Sequence, residues 1–94
     1  MDEVELIDES GNCALVHRTS RRFPGLLIQG DTLHSLGRVA AALLGELESG
    51  DTEDARYSAM ELKEAFDDFT SAYERMMTEA RLPLPYSSEA GKDR

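Results

Sequence analysis

The chain has 94 residues, of which 40% are hydrophobic and 31% are charged. This balance is typical of one globular domain and not of a disordered protein. Nineteen acids against ten bases give a formal net charge of −9, which disfavours binding to nucleic acid or anionic membranes and favours a basic protein partner.

The chain opens with the acidic segment MDEVELIDES. This segment lacks the basic and apolar regions of a signal peptide. The run Val39–Leu44 is among the longest apolar stretches, far short of the ~20 residues needed to cross a bilayer. We therefore expect a cytoplasmic protein with no membrane partner.

The N-terminal region predicts a β-hairpin. Val4 and Leu6 alternate with acids and Ile7 follows, which is typical of a short strand with one charged face. Residues 8–12 contain Ser, Gly and Asn and predict a turn. The small and β-branched residues of Cys13–His17 predict a second strand that pairs with the first.

Catalytic and metal-binding patterns are not recognisable. Cys13 is the only cysteine, so it forms no internal disulfide, and we expect it to be a small buried hydrophobe. Cys13, His17 and His34 do not have metal-ligand spacing. No Ser-His-Asp or Cys-His arrangement is legible. We expect neither enzymatic activity nor a cofactor.

Residues 23–29 predict a third strand after the basic loop 18–22. Pro24 lies near its start, where a missing N–H is tolerated. Leu26-Leu27-Ile28 has no polar alternation, which is typical of a strand covered on both faces. A meander in the order 1-2-3 is the simplest arrangement, but a central third strand explains this apolar run better.

A first helix follows Gly30, with Asp31 or Thr32 as the expected N-cap. We prefer this strand-to-helix connection over a phosphate-binding loop, because the junction has one glycine and no following lysine. Apolar residues at spacings of three and four predict a helix of about 17 residues: Leu33, Leu36, Val39, Ala40, Leu43, Leu44 and Leu47.

A second, longer helix is predicted from Asp51 or Thr52 towards Pro83. Acids at its start suit the helix dipole. A seven-residue repeat predicts a helix of about 30 residues, longer than the first. The repeat consists of Ala55, Ala59, Leu62, Phe66, Phe69, Tyr73, Met76 and Ala80.

These elements predict an α+β fold in the order β-β-β-α-α. A three-stranded, mostly antiparallel sheet is followed by two helices that cover one sheet face. Residues 1–83 are expected to form a single domain, and residues 84–94 a flexible polar tail.

The basic loop is a first candidate site. Arg18, Arg21 and Arg22 are close together in an otherwise acidic chain, with His17 beside them. They predict either an anion site or a solvated loop whose charges offset the acids of residues 2–9. We favour the solvated loop, because exposed ion pairs contribute little to stability.

The second helix supplies two further candidates. Its acidic face is either a solubilising surface or a docking surface for a basic partner, and comprises Glu53, Asp54, Glu61, Glu64, Asp67 and Asp68. Its second half outruns the first helix. We expect Phe66 to be buried within the monomer, and Tyr73, Met76 and Met77 to lie at an interface with a partner or a second copy.

The stretch Phe23-Pro24-Gly25-Leu26-Leu27-Ile28-Gln29-Gly30-Asp31-Thr32-Leu33 resembles the hallmark of a family of small bacterial proteins of unknown function. Their motif is RxFPG, three apolar residues, QGD, Ser or Thr, and Leu. The resemblance covers about residues 3–47. It implies a compact α+β module with no established activity, and no catalytic residues to transfer. It also favours an immunity or accessory role.

The leading functional hypothesis is a non-catalytic acidic protein-binding module, such as an immunity or inhibitor protein that covers a basic partner. Two alternatives remain. The first is a small-ligand or anion binder, or an enzyme, that uses residues 17–22 and the start of the first helix. The second is a structural subunit that dimerises through the second helix.

Overall fold

The computed structural model describes residues 3–87, which form a three-stranded antiparallel sheet followed by two helices. The predicted α+β order is thereby confirmed. The elements are β1 (Val4–Ser10), β2 (Cys13–Arg18), β3 (Gly25–Ile28), α1 (Gly30–Ser49) and α2 (Thr52–Glu79). No helix within the described residues is long and apolar enough to cross a membrane.

The chain divides into two compact units. The sheet unit combines the residues up to Leu27 with those from Ser71 onward. The second unit, Ile28–Thr70, contains α1 and the first part of α2. We call it the hairpin unit, after these two helices. Helix α2 contributes its first part to the hairpin unit and its last turns to the sheet unit. Of the predicted tail 84–94, residues 88–94 lie outside the described residues.

Strands β1 and β2 form the predicted hairpin with a tighter turn. Ser10 pairs with Cys13, so Gly11 and Asn12 alone make the reversal. Gly11 has φ of 60°, a left-handed conformation that glycine adopts without steric cost. The register shifts between Leu6 and Asp8, which lets β1 continue to Ser10. Such a bulge is difficult to predict from alternation, because it interrupts the period of two.

Strand β2 lies in the middle of the sheet, in the order β1-β2-β3. The preference for a central third strand is therefore wrong. Cys13, Ala14 and Leu15 are consecutive and all buried. Because consecutive strand residues point to opposite faces, this end of β2 is covered on both sides. Gly25 and Leu27 of β3 are exposed, so its apolar run does not indicate two covered faces.

The last turns of α2 supply the rest of the sheet unit's core. Met76 and Met77 have no exposed surface, and neither does Leu15. The prediction that these two methionines lie at an interface is wrong, because the chain itself covers them completely. Tyr73 is half-buried, and burial raises the pKa of its phenol. The prediction that Phe66 is buried is also wrong, since 55% of it is exposed.

Helix α1 begins earlier than predicted and has a different cap. The N-cap residue is Gln29, with extended backbone and no side-chain capping hydrogen bond. Asp31 and Thr32 are therefore inside the first turn, and their prediction as N-caps is wrong. Asp31 still suits the helix dipole, and its Oδ1 accepts a hydrogen bond from the Thr32 N–H at 2.8 Å.

The two helices are joined by Gly50 and Asp51. Gly50 has φ of 83°. Its N–H donates to the Leu47 carbonyl at 3.2 Å, and the Asp51 N–H donates to the backbone carbonyl of Glu46 at 2.8 Å. This is the Schellman pattern that ends many helices. Asp51 then caps α2 as predicted, because its Oδ1 accepts from the Asp54 N–H at 3.1 Å.

The end of α2 repeats the Schellman pattern without a glycine. The Leu82 N–H donates to the Met77 carbonyl at 2.9 Å, and the Arg81 N–H donates to Thr78 at 3.0 Å. Arg81 has φ of 60°, a conformation that costs a residue with a Cβ about 1–2 kcal/mol. The helix therefore ends before Pro83, through backbone hydrogen bonds. The sequence does not predict this end, because no glycine is present there.

Candidate functional site

A cleft of about 770 Å³ follows β2 along the loop to β3. Its walls belong to one continuous stretch of the sheet unit. All three arginines of the basic loop line it, together with apolar side chains. The lining residues are Val16, Arg18, Ser20, Arg21, Arg22, Phe23, Pro24, Gly25, Leu26 and Leu27.

Local hydrogen bonds set the shape of the basic loop. The Arg21 N–H donates to the Arg18 carbonyl at 3.0 Å, which closes a turn. His17 Nε2 donates to the Arg21 carbonyl at 2.8 Å. The Arg22 guanidinium lies 5.0 Å from the centre of the Phe23 ring, a cation–π distance. The loop is therefore held by its own backbone and by its neighbouring side chains.

Pro24, at the base of the cleft, is fixed from the far end of α2. Its carbonyl accepts a hydrogen bond from the Tyr73 hydroxyl at 2.7 Å. Tyr73 in turn stacks on Tyr86, with ring centres 6.5 Å apart. Burial and a hydrogen bond to Glu74 raise the pKa of Tyr86 to about 12. Tyr73 is thus a positioning residue for the cleft.

The electrostatics of the cleft suit an anion. Residues 16–27 contain three arginines and no acid. Arg21 and Arg22 form no direct ion pair with any residue between 3 and 87. Guanidinium groups recognise carboxylates and phosphates through paired N–H donors. The cleft therefore combines guanidinium donors with apolar side chains.

The acidic face of α2 is fully solvent-accessible. All six predicted acids are exposed, and they lie on the side of the helix away from the buried Ala55. They are Glu53, Asp54, Glu61, Glu64, Asp67 and Asp68. A hydrogen bond with Asp51 and that carboxylate's charge raise the pKa of Asp54. Lys63 donates to Asp67 at 2.6 Å, and this bond raises the pKa of the lysine.

Two large apolar side chains interrupt this acidic face. Tyr57 is 61% exposed and Met60 is 53% exposed, and both line an open groove of about 450 Å³. Glu61, Lys63, Glu64 and Asp67 form the rest of the groove. The Tyr57 hydroxyl bonds to none of the described residues. Aromatic residues and methionine are enriched at protein interfaces, and here they are surrounded by charged side chains.

The sequence predictions missed Tyr57, Met60 and Ser20. Tyr57 and Met60 are apolar, but they lie off the seven-residue repeat and among acids. This position could have indicated that both side chains are exposed on the acidic face. Ser20 offered none, because a serine in a loop is ordinary. Within residues 3–87, no group of three or more His, Cys, Asp or Glu side chains could hold a metal ion.

Searches of curated proteins and of solved structures return no match to this chain. A family model described as a family of unknown function, DUF6959, matches residues 1–86. This range includes both helices as well as the 3–47 segment that carries the motif resemblance. The motif itself stays a prediction. Because the match covers most of the chain, the protein belongs to this family of unknown function.

Proposed function

We propose that the protein is a non-catalytic protein-binding module whose acidic α2 face docks a basic partner. The observation that carries the proposal is the exposure of Tyr57 and Met60 in the middle of six exposed acids. The apolar pair supplies contact area that desolvates on binding, and the acids attract and orient a cationic surface. An immunity or inhibitor protein that covers a basic enzyme or toxin has this chemistry.

The proposed compartment is the cytoplasm. Cys13 is a free, buried thiol, which suits a reducing environment.

Affinity capture with matched baits tests the proposal. The wild-type chain should retain a basic protein that is lost when Tyr57 and Met60 are both replaced by alanine. Leu6→Ala is the control, because Leu6 is similarly exposed but lies on β1. Retention should fall steeply as salt rises.

Charge reversal supplies the second arm. Glu61→Lys with Glu64→Lys should abolish retention and leave the circular dichroism spectrum unchanged. A partner that survives both the apolar and the charge variants, or that is acidic, would contradict the proposal.

A second candidate function is anion binding in the arginine cleft. The favouring observation is that Arg18, Arg21 and Arg22 line one cavity together with apolar side chains. We infer that an amphipathic carboxylate or phosphate fits this cavity better than a free inorganic ion, because apolar side chains also line it.

Thermal-shift titrations with phosphate, acetate and octanoate test this candidate. A saturable rise in Tm with octanoate should disappear in Arg21→Gln/Arg22→Gln and persist in Arg38→Gln, a control on α1. Replacing all three loop arginines by Gln should change stability by about 1 kcal/mol or less. No saturable shift with any of the three compounds would exclude the cleft as an anion site.

A further inference from the structure

None of the twenty residues of α1, all of which the structure describes, is buried. Across the whole hairpin unit, 28–70, Ala55 alone is buried. Yet between Thr32 and Gly45, α1 carries a single formal charge, at Arg38. A helix that is this apolar normally packs against a core. The hairpin unit therefore has an apolar surface that its own two helices do not cover.

The uncovered surface lies on one side of the hairpin. On α1, Leu36, Val39 and Leu43 are half-buried and face α2, consistent with the hydrogen bond from Ser58 Oγ to Glu46 Oε1 at 2.7 Å. The exposed apolar residues come one position after the half-buried ones in the sequence. They are therefore rotated from them by about 100° around the helix axis. We call these α1 residues, with two from α2, the apolar hairpin face: Leu33, Ala40, Leu44, Leu47, Ala59 and Phe66.

Helix α2 contributes Ala59 and Phe66 by the same one-position offset. They follow the half-buried Ser58 and Ala65. The two helices run in opposite directions through the Gly50–Asp51 connection. An equal rotation in the chain direction therefore brings both exposed rows to the same side of the hairpin. Leu33 is 66% exposed and Leu44 is 58% exposed, so the face is open along most of α1.

A row of small residues adjoins this face. Gly37, Ala41 and Gly45 follow one another at four-residue intervals, next to Leu33 and Leu44 on α1. A Cβ added at Gly37 or Gly45 would meet no heavy atom of the described chain within 4 Å. Glycine disfavours a helix interior, and no packing inside this chain compensates for it. Close approach of another helix backbone would compensate for this cost.

From the open face and its glycine row, we propose that two copies of this chain dimerise through the apolar hairpin face, forming a four-helix bundle. The charge pattern selects a second copy as the occupant. The acidic side chains of α2 are on its opposite side, and the six residues of the apolar hairpin face are uncharged. Lys63 borders this face on α2, and its charge is paired with Asp67 at 2.6 Å. A two-fold interface places a surface against itself, so a neutral face associates without repulsion.

The size of the face is also close to that of a standard interface. A twenty-residue helix is about 30 Å long, and two helices side by side are about 20 Å wide. The flat outline is therefore about 600 Å², and the ridged accessible surface is larger. A standard interface buries about 800 Å² per partner. The dimer leaves Tyr57 and Met60 accessible, so it is independent of the proposed function.

Sedimentation velocity on the full chain tests the proposal. Wild type should sediment at twice the monomer mass of 10.4 kDa at about 100 µM. Leu44→Glu should raise the dissociation constant by at least about 100-fold, because a charge would be buried on both sides of the seam. Leu6→Glu, at a similarly exposed position on β1, should leave it unchanged.

Cysteine cross-linking keeps the test decisive if Leu44→Glu fails to fold. Ala40 is at the middle of the row that runs from Leu33 to Leu47, near the expected two-fold axis. Oxidised Ala40→Cys should give a covalent dimer, whereas Glu64→Cys, on the acidic side of α2 away from Ala59 and Phe66, should not. A wild-type monomer at about 100 µM, a dimer indifferent to Leu44→Glu, or equal cross-linking of both cysteine variants would each overturn the proposal.

Discussion

The sheet unit and the hairpin unit differ in how much of their apolar content they bury. In the sheet unit, Leu15, Met76 and Met77 are completely buried beside Cys13 and Ala14. In the hairpin unit, larger apolar side chains such as Phe66 remain exposed and only Ala55 is buried. The sheet unit therefore contains its own core. The hairpin unit has helices joined by well-formed caps, and we propose that a second copy completes its core.

The comparison also separates two kinds of exposed apolar residue. Tyr57 and Met60 lie among acids, where a partner can combine apolar contact with charge attraction. Leu33 and Leu44 lie on a face without charge, where a like surface fits best. The same helical hairpin thus presents one surface suited to a basic partner and another suited to a second copy.

The largest expected difference between the units is in the stability lost when a methionine of α2 is replaced. Met76 belongs to the sheet unit and Met60 to the hairpin unit. Met76→Ala should destabilise the protein by about 3 kcal/mol, because it leaves a cavity around a fully buried side chain. Met60→Ala should change the free energy of unfolding by less than about 0.5 kcal/mol, because Met60 is exposed. Urea unfolding at one protein concentration measures both. Equal losses would contradict the contrast between the units.

A pair of tyrosines sharpens the contrast further. Tyr73→Phe removes the hydrogen bond to the Pro24 carbonyl and should cost about 1 kcal/mol. It should also disturb the amide chemical shifts of Gly25 and Leu26 in the cleft. Tyr57→Phe is the matched control, since the Tyr57 hydroxyl bonds to none of the described residues. Its stability should equal that of wild type; a loss like that of Tyr73→Phe would refute the assignment.

The two Schellman ends should respond in opposite directions. Gly50→Ala in the hairpin unit should destabilise by about 1 kcal/mol, because Gly50 has positive φ. Arg81→Gly in the sheet unit should stabilise by about 0.5 kcal/mol, since relief of strain exceeds the added chain entropy. Thermal unfolding of both variants checks the signs. A destabilised Arg81→Gly protein would show that its side chain contributes more than its backbone conformation costs.

The smallest expected effect is a loss of stability at alkaline pH in the sheet unit, and it is small because Tyr86 is 45% exposed and its interactions are screened by solvent. Burial and the Glu74 hydrogen bond raise the pKa of Tyr86 from 10.0 to about 12. The folded state therefore favours the neutral phenol. This contribution to stability is complete below pH 10 and is lost as the pH rises towards 12. Tyr86→Phe should flatten that decline in urea unfolding, and an unchanged decline would contradict the assignment.

The sequence predicted the order and type of the elements because each has a strong local signal. The alternation at Val4 and Leu6, the turn residues at Gly11 and Asn12, and the long repeat of α2 suffice for this. It did not predict which strand is central. An apolar run such as Leu26–Ile28 fits both a buried strand and an edge strand beside a cleft.

The site predictions failed where tertiary packing decides. The repeat of α2 is uniform, so it does not distinguish the end that the sheet covers, at Met76, from the exposed part at Phe66. Met77 lies off the repeat and is nonetheless buried. By contrast, exposure of the acidic face was predictable, because its members avoid the apolar stripe. The basic loop was predictable as a cluster, but its cleft depends on Pro24 being held by Tyr73.

Hydrogen exchange of the full chain at about 1 µM and about 100 µM tests the contrast between the units most directly. Amides of α1 between Leu33 and Leu47 should become more protected as concentration rises. Amides of β2 between Cys13 and Arg18 should exchange at the same slow rate at both concentrations. If α1 is equally protected at the two concentrations, and as strongly as β2, the hairpin unit needs no outside surface and the account is wrong.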